Sequence, residues 1–279
     1  MTTKPVELDQ YGVFGNPIEH SKSPSIHAFF ADDTNQALSY GKFLGDLDQF
    51  EAQVGAFFKQ GGKGLNVTVP FKERAFALCD LLSPRAQQAG AVNTLALGKN
   101  GELYGDNTDG VGMVRDICEN HGQTLTDKRV LVLGAGGAVR GILEPLLNES
   151  PTEVVIANRT LSKAQHLAEH FNRETVAVIA KNFEDVDGVF DVIINGTSAS
   201  LGGDLPPLSD SIIGTQTWCY DMMYSKEPTV FLKWASTLGA KGADGLGMLV
   251  EQAAEAFFIW RMQRPITGSL IAKMRNDLS

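Results

Sequence analysis

The fold is decided by the stretch Arg129-Val130-Leu131-Val132-Leu133-Gly134-Ala135-Gly136-Gly137-Ala138. Its first five residues form an apolar run rich in β-branched side chains, which is typical of a strand buried on both faces of a sheet. The glycines permit a tight turn, and a helix is predicted from there to about Asn148. A second buried strand is predicted at Glu153 to Ala157. Such glycines can serve the turn alone, but a βαβ unit around them favours a dinucleotide-binding domain.

The end of the second predicted strand indicates which dinucleotide is bound. In such βαβ units a carboxylate at this position usually accepts a hydrogen bond from the ribose of NAD. Here the strand ends in Asn158-Arg159-Thr160, with Lys163 one turn later. Arg159 and Lys163 would attract a 2′-phosphate, which a carboxylate would repel. The alternative is a solvated basic helix start, which the helix dipole disfavours. The sequence therefore favours NADP as the cofactor.

Strand-like and helix-like segments alternate along nearly the whole chain, which predicts an α/β fold with mainly parallel strands. The other predicted strands are Tyr11–Phe14, Ser39–Leu44, Leu65–Val69, Thr175–Ile179, Asp191–Ile194 and Thr217–Asp221. A hairpin is predicted from Ala91 to Tyr104, because its central Lys99-Asn100-Gly101 suits a tight turn. The other predicted helices begin near Ser25 or cover Gln49–Phe58, segments within Lys72–Ala89, Met248–Arg261 and Ile266–Asn276.

The bulk properties are those of an ordinary two-domain globular protein. A chain of 279 residues exceeds the roughly 150 residues of one domain. No apolar stretch approaches the ~18 residues of a membrane helix, and Met1-Thr2-Thr3-Lys4-Pro5 lacks the apolar core of a secretory signal. We therefore expect a cytoplasmic protein. The net charge of −9 argues against a nucleic-acid partner, whose phosphates require concentrated positive charge.

Metal binding is not expected either. The three cysteines are far apart and form neither a metal-binding pair nor a disulfide framework. His166 and His170 have the four-residue spacing of a metal-binding pair, but no third ligand lies nearby in the sequence. We interpret both histidines as part of a solvated helix face.

Polar residues follow several predicted strands of the first half. Ser21-Lys22-Ser23-Pro24 opens a helix, Asn66-Val67-Thr68-Val69-Pro70-Phe71-Lys72 closes a strand, and Gly90-Ala91-Val92-Asn93-Thr94 begins the hairpin. Gly105-Asp106-Asn107-Thr108-Asp109-Gly110 follows it. Because ligands of open α/β sheets bind beyond the carboxyl ends of the strands, these residues are candidates for one cleft.

These motifs, in this order, resemble the shikimate dehydrogenase family. The second half continues the resemblance with the glycine-rich turn, Asn158-Arg159-Thr160, Asn195-Gly196-Thr197-Ser198, Asp221-Met222-x-Tyr224 and Asp244-Gly245-x-Gly247-Met248-Leu249-x-x-Gln252. The resemblance covers almost the whole chain. It implies two α/β domains: a substrate-binding domain over 1–109 and a Rossmann-type, doubly wound NADP-binding domain over 110–245. It also implies C-terminal helices over 246–279 that return to the first domain. Closure of the cleft between the domains is expected to bring substrate and cofactor together.

The resemblance also assigns roles to individual positions. It implies that Lys72 is catalytic and that Asp109 is paired with it. The substrate-binding residues that it implies are Ser21, Ser23, Thr68, Asn93, Asp109, Tyr224 and Gln252. The cofactor-binding residues that it implies are Gly134, Ala135, Gly136, Gly137, Ala138, Asn158, Arg159, Thr160, Lys163, Thr197, Met222, Gly245 and Met248.

The chemistry of these residue types suits such a reaction. Reduction of a ketone leaves negative charge on its oxygen, and a lysine ammonium can both stabilise and protonate that oxygen. On spacing alone, Lys72 and Asp109 could instead form a nearly neutral surface ion pair. Ser21 and Ser23 could bind a carboxylate, or either could cap the helix before Pro24. Gln252 lies one turn after Met248, so both can face the same side of a helix.

The expected activity is the reversible, NADPH-dependent reduction of 3-dehydroshikimate to shikimate. One alternative is a relative that also accepts quinate or uses NAD. Another is a regulator that binds NADP or shikimate without catalysis, although Lys72 and Asp109 argue against it. The sequence leaves the oligomeric state open between a monomer and a homodimer.

Overall fold

A computed structural model describes residues 8–197, 199 and 203–278, and within them the chain forms two compact units. Unit 1 consists of the chain up to Thr108 together with Gln252–Leu270, and unit 2 consists of Asp109–Glu251 together with the chain from Ile271. Ser198, the last residue of one motif quoted above, lies outside the described residues. The functional division into 1–109, 110–245 and 246–279 stays a prediction.

Unit 1 contains a mixed six-stranded sheet with the order β2-β1-β3-β5-β6-β4. Its strands are β1 (Asp9–Gly15), β2 (Leu38–Leu44), β3 (Gly64–Val67), β4 (Leu81–Leu82), β5 (Thr94–Leu97) and β6 (Leu103–Asp106). Its helices in the first stretch of chain are α1 (Ser23–Asp33), α2 (Phe50–Lys59), α3 (Lys72–Leu78) and α4 (Pro84–Ala89). Strand β1 pairs in parallel with β2 and β3, whereas β5 pairs antiparallel with β3 and β6.

The predicted hairpin is confirmed as β5 and β6. Gly101 adopts a φ of +91°, which glycine reaches without steric strain, and the Gly98 N–H donates to the Glu102 carbonyl over 2.8 Å. The prediction of a strand from Leu65 to Val69 was wrong at its end. The ladder stops at Val67, and the chain turns through a cis peptide bond between Val69 and Pro70.

Residues 252–270 complete the packing of unit 1. Trp260 donates its Nε1–H to the Leu95 carbonyl over 3.0 Å, and its ring occupies the space where a side chain at Gly64 would lie. Its ring centroid is 4.8 Å from that of Tyr11. Arg261 hydrogen-bonds the carboxylate of Asp9 at the start of β1. The far end of the chain therefore covers the first sheet.

Unit 2 contains a parallel six-stranded sheet with the order β12-β11-β10-β7-β8-β9. Its strands are β7 (Arg129–Leu133), β8 (Glu153–Ala157), β9 (Ala177–Lys181), β10 (Phe190–Asn195), β11 (Ile213–Asp221) and β12 (Lys241–Asp244). The helices that follow are α5 (Asp109–Arg115), α6 (Gly137–Asn148), α7 (Leu161–His170) and α8 (Val230–Thr237). The last two helices, α9 (Leu246–Arg261) and α10 (Gly268–Leu278), each contribute residues to both units.

Strand β7 has apolar contacts on both faces, as its composition predicts. Val130 and Val132 belong to one buried cluster, and Leu131 and Leu133 belong to another on the opposite face. The chain runs from β7 to β8 on one side and returns to β10 on the other, so the sheet changes direction at β7. At such a point the loops after neighbouring strands diverge and leave a crevice, which is where ligands bind in open α/β sheets. The predicted α/β fold with a Rossmann-type, doubly wound sheet is confirmed.

Candidate active site

Lys72 is the first residue of α3 and follows the turn that ends β3. The turn is fixed by backbone hydrogen bonds: the Thr68 N–H donates to the Phe14 carbonyl over 2.9 Å, and the Phe71 N–H donates to the Thr68 carbonyl over 3.0 Å. The Lys72 carbonyl accepts from the Val92 N–H over 2.9 Å. The backbone of Lys72 is thereby tied to the segment that leads into β5.

Asn93 lies at the end of that segment and is only 3% exposed. Its Nδ2 donates to Thr108 Oγ1 over 3.0 Å, and its Oδ1 accepts from the Thr108 N–H over 2.9 Å and from Thr94 Oγ1 over 2.9 Å. These contacts fix the orientation of the amide. They also fix Thr108, the residue that precedes Asp109.

The two predicted carboxylate-binding serines stand at the start of α1. Lys22 is the N-cap residue and makes no side-chain capping bond, whereas Ser21 Oγ accepts from the Ser23 N–H over 3.3 Å. Neither serine is therefore the N-cap residue that the alternative interpretation required. Both are partly exposed.

A chain of hydrogen-bonded polar side chains that the sequence did not predict begins at Ser23. The Ser23 side chain hydrogen-bonds the hydroxyl of Tyr40, and that hydroxyl donates to Asn66 Oδ1 over 2.7 Å. Burial raises the pKa of Tyr40 well above its usual value, so the hydroxyl stays protonated. His27 stacks on the Tyr40 ring with centroids 4.2 Å apart, and burial lowers its pKa to about 3. Asn66 belongs to a quoted motif, but no sequence signal marks Tyr40 or His27.

A second unpredicted network surrounds Asp106. Arg85 binds this buried carboxylate through Nε at 2.7 Å and Nη2 at 2.9 Å, and its Nη2 also donates to Glu255 Oε1 over 3.0 Å. Next to it, Asn107 Nδ2 donates to the Ala91 carbonyl over 3.0 Å. The network fixes the strand end that leads to Thr108. Gln252, the other predicted substrate ligand in unit 1, is partly buried on α9.

In unit 2, Asp109 is the first residue of α5, and it is partly exposed. The neighbouring Gly110 lets α5 approach α6 closely, since a Cβ there would lie 2.6 Å from the Gly141 carbonyl oxygen. The start of α5 is therefore held against α6, which follows the glycine-rich turn.

The glycine-rich turn leaves the start of α6 open. Gly134 adopts a φ of +104°, and its N–H donates to the Ala157 carbonyl over 2.7 Å. Gly136, Gly137 and Ala138 are exposed, and among the described residues nothing lies within 4 Å of a Cβ added at either glycine. No acidic side chain stands in the first turn of α6. The free N–H groups and the positive end of the helix dipole suit a pyrophosphate, so this turn fits a dinucleotide.

The residues after β8 fit the 2′-phosphate of NADP. Arg159, Thr160 and Lys163 are exposed at the start of α7, which has no acidic side chain in its first turn. Asn158 Nδ2 donates to the Thr160 carbonyl over 2.9 Å, which closes the turn around Arg159. Two cationic side chains with no carboxylate at this position suit a phosphate rather than a bare ribose hydroxyl.

The remaining predicted residues of unit 2 follow β10, β11 and β12. Thr197 comes after β10, Met222 and Tyr224 come after β11, and Gly245 and Met248 come after β12. Burial, and after it the charge of Asp244, raises the pKa of Tyr224. Together with the glycine-rich turn and Asn158, these residues lie at the carboxyl edge of one sheet.

Two buried carboxylates lie near α9: Asp244 opens a quoted motif, whereas no sequence signal marks Asp116. Asp116 lies in a π-helical segment (Asp116–Asn120) and accepts from the Tyr220 hydroxyl over 2.6 Å. Gly247 must be glycine there, because a Cβ would lie 1.9 Å from Asp116 Oδ1. Asp244 accepts from Arg275 Nη1 over 2.9 Å. Asp244 Oδ1 also accepts from the Leu246 N–H over 3.2 Å, so this carboxylate fixes the turn that carries Gly245.

Sequence comparisons identify relatives along nearly the whole chain. The model of the shikimate dehydrogenase substrate binding domain matches residues 13–95, that of shikimate / quinate 5-dehydrogenase matches 116–202, and that of the shikimate 5′-dehydrogenase C-terminal domain matches 245–265. A protein of Hahella chejuensis called shikimate dehydrogenase (NADP(+)) is 56% identical over 96% of this chain and 99% of its own.

The chain belongs to the shikimate dehydrogenase family.

Solved structures with the same fold are found among the similar proteins. An Ael1 enzyme from Pseudomonas putida is 48% identical and superposes with a TM-score of 0.91 over 97% of this chain and 98% of that one. Shikimate 5-dehydrogenase of Thermus thermophilus, crystallised with NADP(H) and shikimate, is 32% identical, with a TM-score of 0.84 over 97% of this chain and 100% of that one. The family predicted from the motifs is therefore confirmed.

Within the described residues, no helix combines the length and apolar character needed to cross a membrane.

Proposed function

We propose that this protein catalyses the reversible, NADPH-dependent reduction of 3-dehydroshikimate to shikimate. The observation that carries the proposal is its 56% identity, over 96% of the chain, to a protein called shikimate dehydrogenase (NADP(+)). The fixed positions of Lys72 and Asn93 in unit 1 and the open glycine-rich turn in unit 2 support it.

Lys72 acts as the general acid in ketone reduction. NADPH, when bound, supplies the hydride for the carbonyl carbon. The Lys72 ammonium donates a proton to the carbonyl oxygen as negative charge develops there, and the neutral amine accepts the proton back in the reverse direction. Asp109 orients the lysine and accepts a hydrogen bond from a substrate hydroxyl. Because the backbone of Lys72 is fixed by the Val92 N–H, its side chain begins from a defined point.

The neutral polar residues of the site bind and orient the substrate. Ser21 and Ser23 donate hydrogen bonds from their hydroxyls to the substrate carboxylate, which avoids placing a second full positive charge beside Lys72. To do so, the Ser23 hydroxyl turns from Tyr40 to the carboxylate. Thr68, Asn93, Tyr224 and Gln252 hydrogen-bond the ring hydroxyls. The amide of Asn93 is already oriented by Thr108 and Thr94, so little side-chain entropy is lost when the substrate binds.

The cofactor is held along the carboxyl edge of the sheet in unit 2. Gly134, Ala135, Gly136, Gly137 and Ala138 hold the pyrophosphate with backbone N–H groups. Asn158, Arg159, Thr160 and Lys163 bind the adenosine 2′-phosphate. Thr197, Met222, Gly245 and Met248 contact the ribose and nicotinamide portion.

The roles of the segments follow from these assignments. Residues 1–109 bind substrate, 110–245 bind NADP, and of residues 246–279 the stretch Gln252–Leu270 belongs with the substrate-binding portion. We place the protein in the cytoplasm, where the NADP pool is available to it. A monomer and a homodimer are both compatible with this function.

The test follows the absorbance of the reduced cofactor, NADPH or NADH, while shikimate and quinate are each combined with NADP⁺ and NAD⁺. Strong NADPH formation from shikimate, with little signal in the other three mixtures, is expected. Comparable rates with quinate would favour the second candidate, a shikimate/quinate dehydrogenase, because residues 116–202 match the shikimate / quinate 5-dehydrogenase family. No absorbance change in any of the four mixtures would refute catalysis and favour a protein that binds NADP or shikimate without catalysis.

The variant Lys72→Ala assigns the proton transfer. Loss of a positioned general acid lowers kcat by roughly 10²–10⁴-fold. The KM for shikimate should change far less, because the serines and Asn93 remain. An unchanged kcat would show that Lys72 is not the general acid.

A further inference from the structure

Two buried polar side chains stand side by side at the carboxyl end of the sheet in unit 2. Asn195 ends β10, Asp221 ends β11, and the two residues are register partners in the parallel ladder. Both are 0% exposed. A buried carboxylate is unfavourable unless hydrogen bonds compensate for its lost hydration, so the contacts of this pair indicate its role.

Asn195 holds the loop after its own strand and the loop after β11. Its Oδ1 accepts from the Thr197 N–H over 3.1 Å and from Thr197 Oγ1 over 2.8 Å. Its backbone carbonyl accepts from the Met222 N–H over 2.9 Å. Its Nδ2 donates to Asp221 Oδ1 over 3.2 Å, so the amide is oriented by the carboxylate next to it.

Asp221 holds the rest of the loop after β11. Its Oδ1 accepts from the Met223 N–H over 3.1 Å, and its Oδ2 accepts from Thr229 Oγ1 over 2.6 Å. Thr229 is the N-cap residue of α8, and its Oγ1 accepts from the Leu232 N–H over 3.3 Å. The carboxylate thus ties both ends of residues 222–229 to the end of the sheet.

A third loop depends on the second. The Gly245 N–H, which follows β12, donates to the Met223 carbonyl over 3.0 Å. A Cβ at Gly245 would lie 2.3 Å from the Met222 carbonyl oxygen, so the two chain segments are in direct contact. Displacement of the loop after β11 would therefore displace Gly245 as well.

We propose that Asp221 is a positioning residue that aligns the three loops carrying Thr197, Met222 and Gly245 for NADP. The inference rests on the proposed function, in which these three residues contact the cofactor. Asp221 itself is fully buried and acts through Asn195, Thr229 and the Met223 N–H. Its removal should weaken cofactor binding while leaving the substrate-binding residues of unit 1 unaffected.

The main variant is Asp221→Asn, which keeps the shape of the side chain but removes its charge and one acceptor. NADPH affinity is measured directly by fluorescence titration, KM is measured for NADP⁺ and shikimate separately, and stability is measured by urea unfolding. We expect the NADPH Kd and the KM for NADP⁺ to rise by roughly tenfold, the effect of losing a hydrogen bond to a charged acceptor. The KM for shikimate should rise much less, because Tyr224 is the one proposed substrate ligand on the loop that Asp221 holds, and the others lie elsewhere.

A set of threonine variants separates positioning from general stability. Thr229→Val removes the hydroxyl that binds Asp221, and Thr229→Ser retains it. Thr217→Val is the matched control: this buried threonine is also on β11, but its Oγ1 donates to the Phe190 carbonyl over 2.7 Å at the other end of β10. We expect Thr229→Val to weaken NADPH binding several-fold, and Thr229→Ser and Thr217→Val to bind NADPH like the wild type.

Wild-type NADPH affinity in folded Asp221→Asn would overturn the proposal. Equal loss of affinity in Thr229→Val and Thr217→Val would also overturn it, because the effect would then follow stability alone. If Asp221→Asn does not fold, the comparison between the Thr229 and Thr217 variants decides. If the wild type does not oxidise shikimate, the proposed function is refuted. The NADPH titrations test the role of Asp221 independently of that result.

Discussion

Replacement of Gly136 by alanine should weaken NADPH binding without unfolding the glycine-rich turn. Gly136 has a φ of −90° and a ψ of −178°, which is extended backbone that any residue adopts. Among the described residues, nothing lies within 4 Å of the added Cβ. The methyl group would project into the open space before α6, where the pyrophosphate must approach the backbone.

The expected change in stability is small because two effects oppose each other. Alanine is a poorer N-cap residue than glycine by about 0.5–1 kcal/mol. Alanine also has less conformational freedom than glycine in the unfolded chain, which stabilises the folded state by about 0.4–1 kcal/mol. The free energy of unfolding should thus stay within about 0.5 kcal/mol of the wild type. Binding should weaken by roughly tenfold or more, which corresponds to at least about 1.4 kcal/mol.

Gly134→Ala is the matched control, because this substitution should lower the free energy of unfolding, whereas Gly136→Ala should leave it nearly unchanged. Gly134 has a φ of +104°, and a Cβ there would lie 3.3 Å from Gly196. Strained backbone of this kind costs of order 1–3 kcal/mol, so this variant should unfold at lower urea concentration. NADPH titration and urea unfolding of both variants provide the measurements. Wild-type NADPH affinity in Gly136→Ala would refute the assignment of this turn to the pyrophosphate.

Three further predictions concern the cofactor phosphate, a buried carboxylate and the thiols. Arg159→Ala should raise the KM for NADP⁺ by roughly tenfold or more, through loss of a charge-assisted contact, while the KM for NAD⁺ changes little; steady-state kinetics with both cofactors test this, and equal effects would contradict it. Tyr220→Phe should lower the free energy of unfolding by about 1.5–3 kcal/mol, because buried Asp116 loses a donor; urea unfolding measures the change, and an unaltered midpoint would disprove it. Burial raises the pKa of each thiol, to about 12 for Cys79 and Cys219 and about 11 for Cys118. At about pH 8 the thiols are therefore protonated, and Ellman's reagent should react slowly with native protein and rapidly in urea; rapid reaction of the native protein would count against their burial.

The elements that the sequence predicts well are those with a strong local pattern. The strands β7 and β8 begin and end at the predicted residues. The hairpin of β5 and β6 begins and ends within three residues of the predicted bounds. Strand β12 was not predicted, because Lys241-Gly242-Ala243-Asp244 has no apolar alternation and forms a strand only by pairing with β11. Strand β9 begins two residues later than predicted, at Ala177, for a similar reason: its pairing with β8 sets its register.

In the candidate site, the residues with assigned roles were predicted from the sequence, whereas the contacts that support them were not. Except for Lys163, which follows its motif by one turn, each residue to which a role is assigned stands in one of the quoted motifs, because those residues lie in short continuous segments. The supporting contacts join distant positions: Arg85 binds Glu255, Tyr40 binds Asn66, and Asp244 binds Arg275. A residue's partner in such a contact is chosen by the tertiary structure, and composition or spacing within one sequence carries no record of it.

The discontinuity of unit 1 sets the order in which a newly made chain can be completed. The sheet of unit 1 is translated first, yet Trp260 and Arg261, which cover it, lie near the other end of the chain. Until they emerge from the ribosome, Leu95 lacks its indole donor and the surface at Gly64 stays uncovered. The stretch Asp109–Glu251 is continuous and emerges earlier than this covering. The sheet that is synthesised first is therefore covered only after the stretch Asp109–Glu251 has been made, and a chain truncated before Gln252 would expose apolar surface available to chaperones.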